Sequence, residues 1–259
     1  MKEKLVTVVM PVYNAAAFLC EAVDSVLAQT YEYFELIMVD DCSTDNSLEI
    51  ARSYEQKDPR VRVFCMEKNS GVANVRNRGI REARGEYVAL LDSDDVWVAD
   101  KLERQVKSLE ASHAQIAYCS YDFIDEHSQP IKRPFIVPET TNYKKMLSSC
   151  VISCSTAMIE TELLKAHPFN AQFYHEDYVL WMELLAIPVS TVGDQKVLAH
   201  YRQVTGSRSN NKGNSAKKRW ITYRKALGLG FFPSVIAFSQ YAVKGVLKYY
   251  APMKKKEEK

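Results

Sequence analysis

Four short apolar runs punctuate the first ninety residues: LVTVVM (5–10), ELIMV (35–39), VRVFCM (61–66) and EYVALL (86–91). They are continuous rather than alternating, which is the pattern of strands covered on both faces. Between them the apolar positions change period. Leu19, Val23, Val26 and Leu27 recur at helical spacing, as do Leu48 with Ala51 and Val72 with Val75, and ADKLERQVKSLEA (99–111) places Leu102, Val106 and Leu109 on one face. The resulting βαβαβαβα order predicts an α/β protein with a doubly wound, mostly parallel sheet. Each run ends in polar residues (PVYN, DDCSTD, EKNSG, DSDD), and in such sheets ligands bind beyond the carboxyl ends of the strands, so these four tips are expected to line one crevice.

Past Ile116 the pattern loosens. IAYCSY (116–121), SCSTAMI (153–159) and KVLAHYR (196–202) read as further strands, and EDYVLWMELLA (176–186) as an amphipathic helix. SQPIKRPFIVPETTN carries too many prolines for regular structure and reads as a substrate-facing loop. From Leu229 a helical stripe of Phe231, Val235, Phe238, Ala242, Val246 and Tyr249 lies beside a second one of Gln240, Lys244 and Lys248. A membrane span needs about 20 predominantly apolar residues. Two lysines with Ser, Gln and Pro argue instead for a helix in the interface of an anionic membrane, the competing account being a helix packed on the main domain. The expected division is a catalytic domain over 1–210 and a basic helical tail over 211–259.

Charge sharpens that division. The 259 residues carry a net charge of +2, yet 12 Lys/Arg against two Glu lie from Lys212 onward, leaving 22 basic and 30 acidic residues before it. The basic tail, including KKRWITYRK (217–225), has no recognised nucleic-acid motif behind it, so no nucleic-acid partner is expected. The six cysteines form no C-x-x-C pair and the first residues lack a secretory signal; the expectation is a reduced, cytoplasmic protein whose cysteines mostly fill core space.

The densest chemistry is LLDSDD (90–95), three carboxylates in four residues where a buried strand surfaces. Two like charges ~4 Å apart repel by about 4 kcal/mol at an effective dielectric near 20, so such crowding calls for a cation or a solvated loop. Mg²⁺ and Mn²⁺ prefer one or two carboxylates plus substrate phosphate oxygens to an all-protein cage. The plainer alternative is the N-cap of the helix that follows. Asp40 and Asp41 sit at a neighbouring strand tip, where a carboxylate can accept from a base N–H; Asp45 reads as a cap, and Tyr13 as a stacking platform for a planar base.

In order and spacing, VVMPVYN, QTYEYFELIMVDDCSTDNS, SGVANVRNRGI, GEYVALLDSDD and EDYVLW resemble the family 2 glycosyltransferases of GT-A fold. The resemblance covers roughly residues 4–205 and is loosest over 120–170. It implies that Pro11, Tyr13 and Asp41, with Asp40 beside them, hold the uracil of a UDP-sugar, and that Arg76 lies at the nucleotide. It further implies that Asp92, Ser93 and Asp94 form the D-x-D that contacts ribose and the metal-bound diphosphate. Asp95 is a possible sharer of the metal and His200 a further ligand, the metal being Mn²⁺ or Mg²⁺. Asp177 falls on the catalytic base, with an N-terminal helix charge as the structural alternative. LAHYRQVTGSRS, with His200, Arg202, Ser207, Arg208 and Ser209, reads as a mobile loop folding over the diphosphate.

The implied reaction is inverting transfer of a hexose or N-acetylhexosamine from a UDP-sugar to a hydroxyl of a glycan acceptor, lipid-linked or of the lipopolysaccharide type. Its expected place is the cytoplasmic face of the membrane. Two alternatives stand beside it. DSDDV formally fits the D-x-D-x-V of haloacid-dehalogenase-like phosphatases, though there it normally follows the first core strand, and a non-catalytic sugar-nucleotide-binding module would show the same donor residues.

Overall fold

A computed structural model describes residues 3–204 and 212–250. Strands β1 (Val6–Val12), β2 (Phe34–Asp40), β3 (Val61–Cys65) and β4 (Tyr87–Leu90) fall on the four apolar runs, joined by helices α1 (Leu19–Leu27), α2 (Ser47–Lys57) and α3 (Val72–Glu82). β1 pairs in parallel with both β2 and β4, and β2 with β3. The chain therefore steps outward from β1 to β3 and returns to the other side of β1, which puts the topological switch point, where such sheets take their ligands, at the carboxyl ends of β1 and β4.

The second half adds β5 (Val96–Trp97), α4 (Lys101–Ser112), β6 (Ile116–Ile124), β7 (Pro130–Phe135), α5 (Tyr143–Ser148), β8 (Met158–Glu160), α6 (Thr161–Ala166), α7 (Glu176–Leu184) and β9 (Thr191–Arg202). All described strands join one sheet in the order β3-β2-β1-β4-β8-β6-β9-β5, with β7 hydrogen-bonded to β6. Helices α8 (Lys212–Ile221) and α9 (Phe231–Tyr250) close the described chain, with a π-helical turn at Thr222–Ala226 between them.

Alternation along β1 splits the core between the two faces of the sheet: Val6, Val8, Met10 and Val12 pack with α1 and α4, while Val9 faces α3 and α7. Gly79 lets α3 approach closely, since a Cβ there would sit 2.5 Å from Val9 Cγ1.

Four expectations need correction. SCSTAMI forms a 3₁₀ turn at Cys154–Thr156 before the short β8, because Ser153 and Thr156 satisfy each other's backbone reciprocally and favour a turn over a ladder. The proline-rich stretch contains an exposed strand, β7, paired antiparallel to β6 with two register shifts; prolines are tolerated on such an edge. Helix α7 is not amphipathic: seven of its nine residues are buried, because the sheet core lies on one side and Tyr223 and Arg219 on the other.

The cysteines are free thiols, but only Cys119 and Cys154 are buried, Cys20 and Cys65 being exposed. On α9 the side turned to the body carries Ser234 and Ala237, with Phe238 half-buried, whereas Phe231, Val235 and Ala242 of the expected stripe are exposed with Phe232, Ile236 and Val243. The side chains of Lys244, Val246, Lys248 and Tyr249 lie outside the described residues. No described helix is long and apolar enough to cross a membrane.

Candidate active site

The tips of β1 and β2 are laced together. Asp41 N–H donates to Val12 O at 2.9 Å, Asn14 N–H to Ser43 Oγ at 3.0 Å, and Thr44 N–H to Asn14 Oδ1 at 2.8 Å. Asn14 and Cys42 both take positive φ, 48° and 61°, to turn the chain here. Pro11 is buried in β1, while Tyr13 directly beyond is 52 % exposed, free to present its ring to a ligand.

Asp41 is buried and accepts from Ser70 N–H at 2.7 Å and Gly71 N–H at 2.9 Å, capping α3; Gly71, at φ +80°, supplies the conformation this cap requires. Each carboxylate oxygen retains a second lone pair. Asp40 Oδ2 accepts from Ser43 N–H, but its buried Oδ1 has no partner. Asp45 is the expected cap, taking Ser47 N–H at 3.0 Å.

The loop 92–95 is clamped from two directions. Ser155 Oγ accepts from Asp92 N–H at 3.1 Å and donates to Asp95 Oδ2 at 2.5 Å. Arg202 donates its backbone N–H to Asp95 Oδ1 at 2.9 Å and its Nε–H to Asp94 O at 2.7 Å. The Arg202 guanidinium also reaches Asp125 O, Ser128 Oγ and Glu21 Oε2 and lies over the Phe18 ring. Asp95 is 1 % exposed, and burial followed by the charges of Asp94 and Asp92 pushes its carboxyl well above the usual range. Ser93 and Asp94 are half-buried. Burial and the Asp92 charge push Asp94 up to about 6, and no ion-pair partner meets it among the described residues.

Arg76 joins this loop to α7. Its Nη2–H donates to Asp92 Oδ1 at 2.5 Å and its Nη1–H to Glu176 Oε1 at 3.1 Å, with Phe169 across its face at 5.3 Å. Burial works against the guanidinium's charge, but the Asp92 and Glu176 carboxylates outweigh it. Asp177, next to Glu176 in the first turn of α7, accepts from Tyr178 N–H through Oδ1, leaving Oδ2 unoccupied by described residues. Arg76 thus links Asp92 of the D-x-D to Glu176, the residue directly before the expected base Asp177.

A model of "Glycosyl transferase family 2" matches residues 7–167. The chain belongs to that family. A Bacillus subtilis family 2 relative, named as the teichuronic acid biosynthesis glycosyltransferase TuaG, is 37 % identical over 244 residues, 94 % of this chain and 97 % of the relative. An Escherichia coli glycosyltransferase, WfgD, named as a UDP-Glc:alpha-D-GlcNAc-diphosphoundecaprenol beta-1,3-glucosyltransferase, is 35 % identical over 222 residues, 85 % of each chain. Among solved structures, S. aureus TarS in complex with UDP-GlcNAc superposes with a TM-score of 0.72 at 19 % identity, covering 96 % of this chain and 76 % of TarS. The mannosyltransferase PcManGT of Pyrobaculum calidifontis, in complex with GDP-Man and Mn²⁺, gives 0.65 at 20 %, covering 96 % and 76 %. The fold is therefore GT-A, and the family match leaves the phosphatase alternative without support.

Family 2 enzymes of this fold imply a divalent cation. Among the described residues no three His, Cys, Asp or Glu side chains converge into a cage. The residues nevertheless fit a hard cation shared with phosphate oxygens: Asp94 is an unpaired carboxylate crowded against Asp92. Asp95, with both oxygens engaged by Ser155 and Arg202, is placed to orient the loop. His200 is in β9, not in a mobile loop; its Nδ1 faces Asp122 Oδ1 at 2.6 Å, and its register partner on β5 is Val96. Arg202 is likewise locked in β9, and Ser207, Arg208 and Ser209 lie outside the described residues. Ser155, the Arg202 clamp and the Arg76–Glu176 pair were not anticipated; in the sequence only the adjacency of Glu176 to Asp177 hinted at the last.

Proposed function

We propose that this family 2 glycosyltransferase performs inverting transfer of a hexose or N-acetylhexosamine from a UDP-sugar to a hydroxyl of a glycan acceptor, lipid-linked or of the lipopolysaccharide type. The observation that carries the reading is the Arg76 bridge, which holds the donor-side Asp92 and the acceptor-side start of α7 in one charge network. Tyr13 offers its exposed ring to the uracil, and Asp41, with Asp40 and Pro11 behind it, a carboxylate edge to a base N–H. Asp92, Ser93 and Asp94 face the ribose and diphosphate.

Asp177 Oδ2 removes the proton from the acceptor hydroxyl as that oxygen attacks the anomeric carbon, and the C–O bond to UDP breaks on the opposite face. Asp94 would hold a Mn²⁺ or Mg²⁺ ion, for which the resemblance also suggests Asp95 and His200, here engaged with Ser155, Arg202 and Asp122, and the bound ion would supply positive charge against the charge that develops on UDP. Relatives named for UDP-Glc and diphosphoundecaprenol-linked GlcNAc support this class of donor and acceptor. The test is UDP release from a panel of UDP-sugars with alkyl-diphosphate sugar acceptors. Turnover lost with EDTA and with Asp177→Asn is expected; turnover indifferent to both refutes the assignment.

The same reading places the enzyme on the cytoplasmic face of the membrane. Supporting it, α9 turns Phe231, Phe232, Val235, Ile236 and Val243 to solvent, and α8 contributes exposed Lys217. That pairing of an apolar face with basic residues suits an anionic lipid interface. Residues 1–210 would then be the catalytic domain and 211–259 its membrane-facing tail, although Tyr223 and Ala237 share the catalytic core. Vesicles containing phosphatidylglycerol should co-sediment the protein, and Phe232→Glu with Ile236→Glu should release it; equal sedimentation of both forms counts against the membrane role.

A further inference from the structure

Arg219, on α8, is a buried cation with no carboxylate in an ion pair with it among the described residues. It is 6 % exposed, and its Nε and Nη1 have no hydrogen-bond partner among the described residues. Its guanidinium stacks 3.6 Å from the Tyr178 ring centroid and 4.9 Å from that of Tyr241. Tyr178 spends its hydroxyl on Met146 O and Tyr223 spends its own on Leu147 O, so neither phenol oxygen is held for the arginine. Cation–π contact offsets only part of the cost of burying a charge, and an isolated buried cation is expensive enough that proteins pair it or reserve it for a ligand.

The neighbouring residue repeats the pattern. Lys218 Nζ lies 3.4 Å from the ring centroid of Tyr174, with no carboxylate in an ion pair with it among the described residues. Tyr174 and Tyr178 bracket Asp177 in sequence, at the turn that opens α7. Two unpaired cations are therefore held by aromatic faces around the segment that carries the proposed base. An anionic group on the acceptor is what such an arrangement fits; arginine's planar fork in particular matches phosphate oxygens.

We infer that Arg219, assisted by Lys218, is a specificity-determining subsite that binds the phosphate of a glycosyl-diphosphate acceptor and so sets that acceptor's hydroxyl against Asp177. The inference rests on the acceptor side of the proposed function. Its role is binding, with no covalent step of its own.

The test is calorimetric binding to the full chain, without donor, of an alkyl diphosphate of N-acetylglucosamine and of the matching alkyl glycoside that lacks the diphosphate. The wild type should bind the diphosphate at least tenfold more tightly. Arg219→Gln should erase that preference while leaving glycoside affinity unchanged, and Arg219→Lys should restore part of it. Lys218→Gln, a change at a less buried position, should weaken the diphosphate alone by a smaller factor and serves if Arg219→Gln does not fold.

Equal binding of the two compounds by the wild type overturns the inference, as does a folded Arg219→Gln protein that keeps the preference. A third overturning result is Arg219-dependent binding to phosphatidylglycerol vesicles that the diphosphate sugar does not displace, since the cation would then read bulk lipid headgroups. UDP titrated into the same samples reports separately on the transferase reading: absent UDP binding sinks the donor site whatever the acceptor preference shows.

Discussion

Replacing Arg76 with Met tests the bridge on which the site is built. The Arg76 side chain is 5 % exposed and Glu176 10 %, whereas Asp92 is 31 % exposed. Removing the cation takes the guanidinium's hydrogen bond from Glu176 in the interior, but water can reach Asp92. Breaking a buried pair from one side costs about 3–5 kcal/mol, and the hydration left to Asp92 puts Arg76→Met near the lower end, about 3 kcal/mol. For a chain of this size that lowers the melting temperature by about 6–12 °C. Adding Glu176→Gln removes the carboxylate charge that faced the guanidinium at nearly constant shape and should return about half of the loss. Urea unfolding at pH 7.5 without nucleotide measures both. An Arg76→Met penalty below about 1 kcal/mol, or a double variant no more stable than the single, refutes the view that the guanidinium compensates a buried carboxylate.

Asp94 predicts a pH dependence of unusual sign. With its carboxyl pushed up to about 6 against an ordinary 3.8, the native state binds more protons than the unfolded chain between those values, so metal-free stability rises as pH falls, by about 1.3 kcal/mol from pH 7 to 5 and by about 3 kcal/mol in all once the pH is below 3.8. The melting temperature of wild type should climb over that range while Asp94→Asn stays flat, and Mn²⁺-dependent UDP binding should weaken below about pH 6. Because both Asp95 oxygens are engaged by Ser155 and Arg202, Asp95→Asn should retain more UDP affinity than Asp94→Asn, which loses its metal-dependent part, as read by calorimetry with and without Mn²⁺. Ser155→Ala removes the partner of both Asp92 N–H and Asp95 and should cost about 1–3 kcal/mol in chemical denaturation. Gly79→Ala pushes a methyl against Val9 and should cost about 1–3 kcal/mol while leaving the UDP affinity of the folded protein intact.

The first hundred residues were legible because their strands are buried on both faces and joined by short helical crossovers, so local pattern and global position agree; every residue of β1, β2 and β4 is buried. Asp40, Asp41, Asp92 and Asp94 were legible for the same reason, standing where those strands end. Helix α7 was misread because its polar residues suggested a solvent face that two later helices in fact cover. The groups that organise the site left no local trace: Ser155 meets Asp92 across 63 positions, Arg76 meets Glu176 across 100, and Arg202 meets Asp95 across 107. Contacts of that range are set by the assembled sheet, and the short segments that supply them carry no periodicity pointing to a partner.

Strand β7 has a consequence for life in a crowded cell. Its outer border is wide open to water, and an unpaired border of this kind invites a foreign strand to dock. PIKRPF answers with a proline at each end of a basic pair, so a would-be neighbour finds two missing amide donors and a like-charged fence. The region that departs most from regular pattern is thereby also the one that keeps the sheet from growing into its own copies.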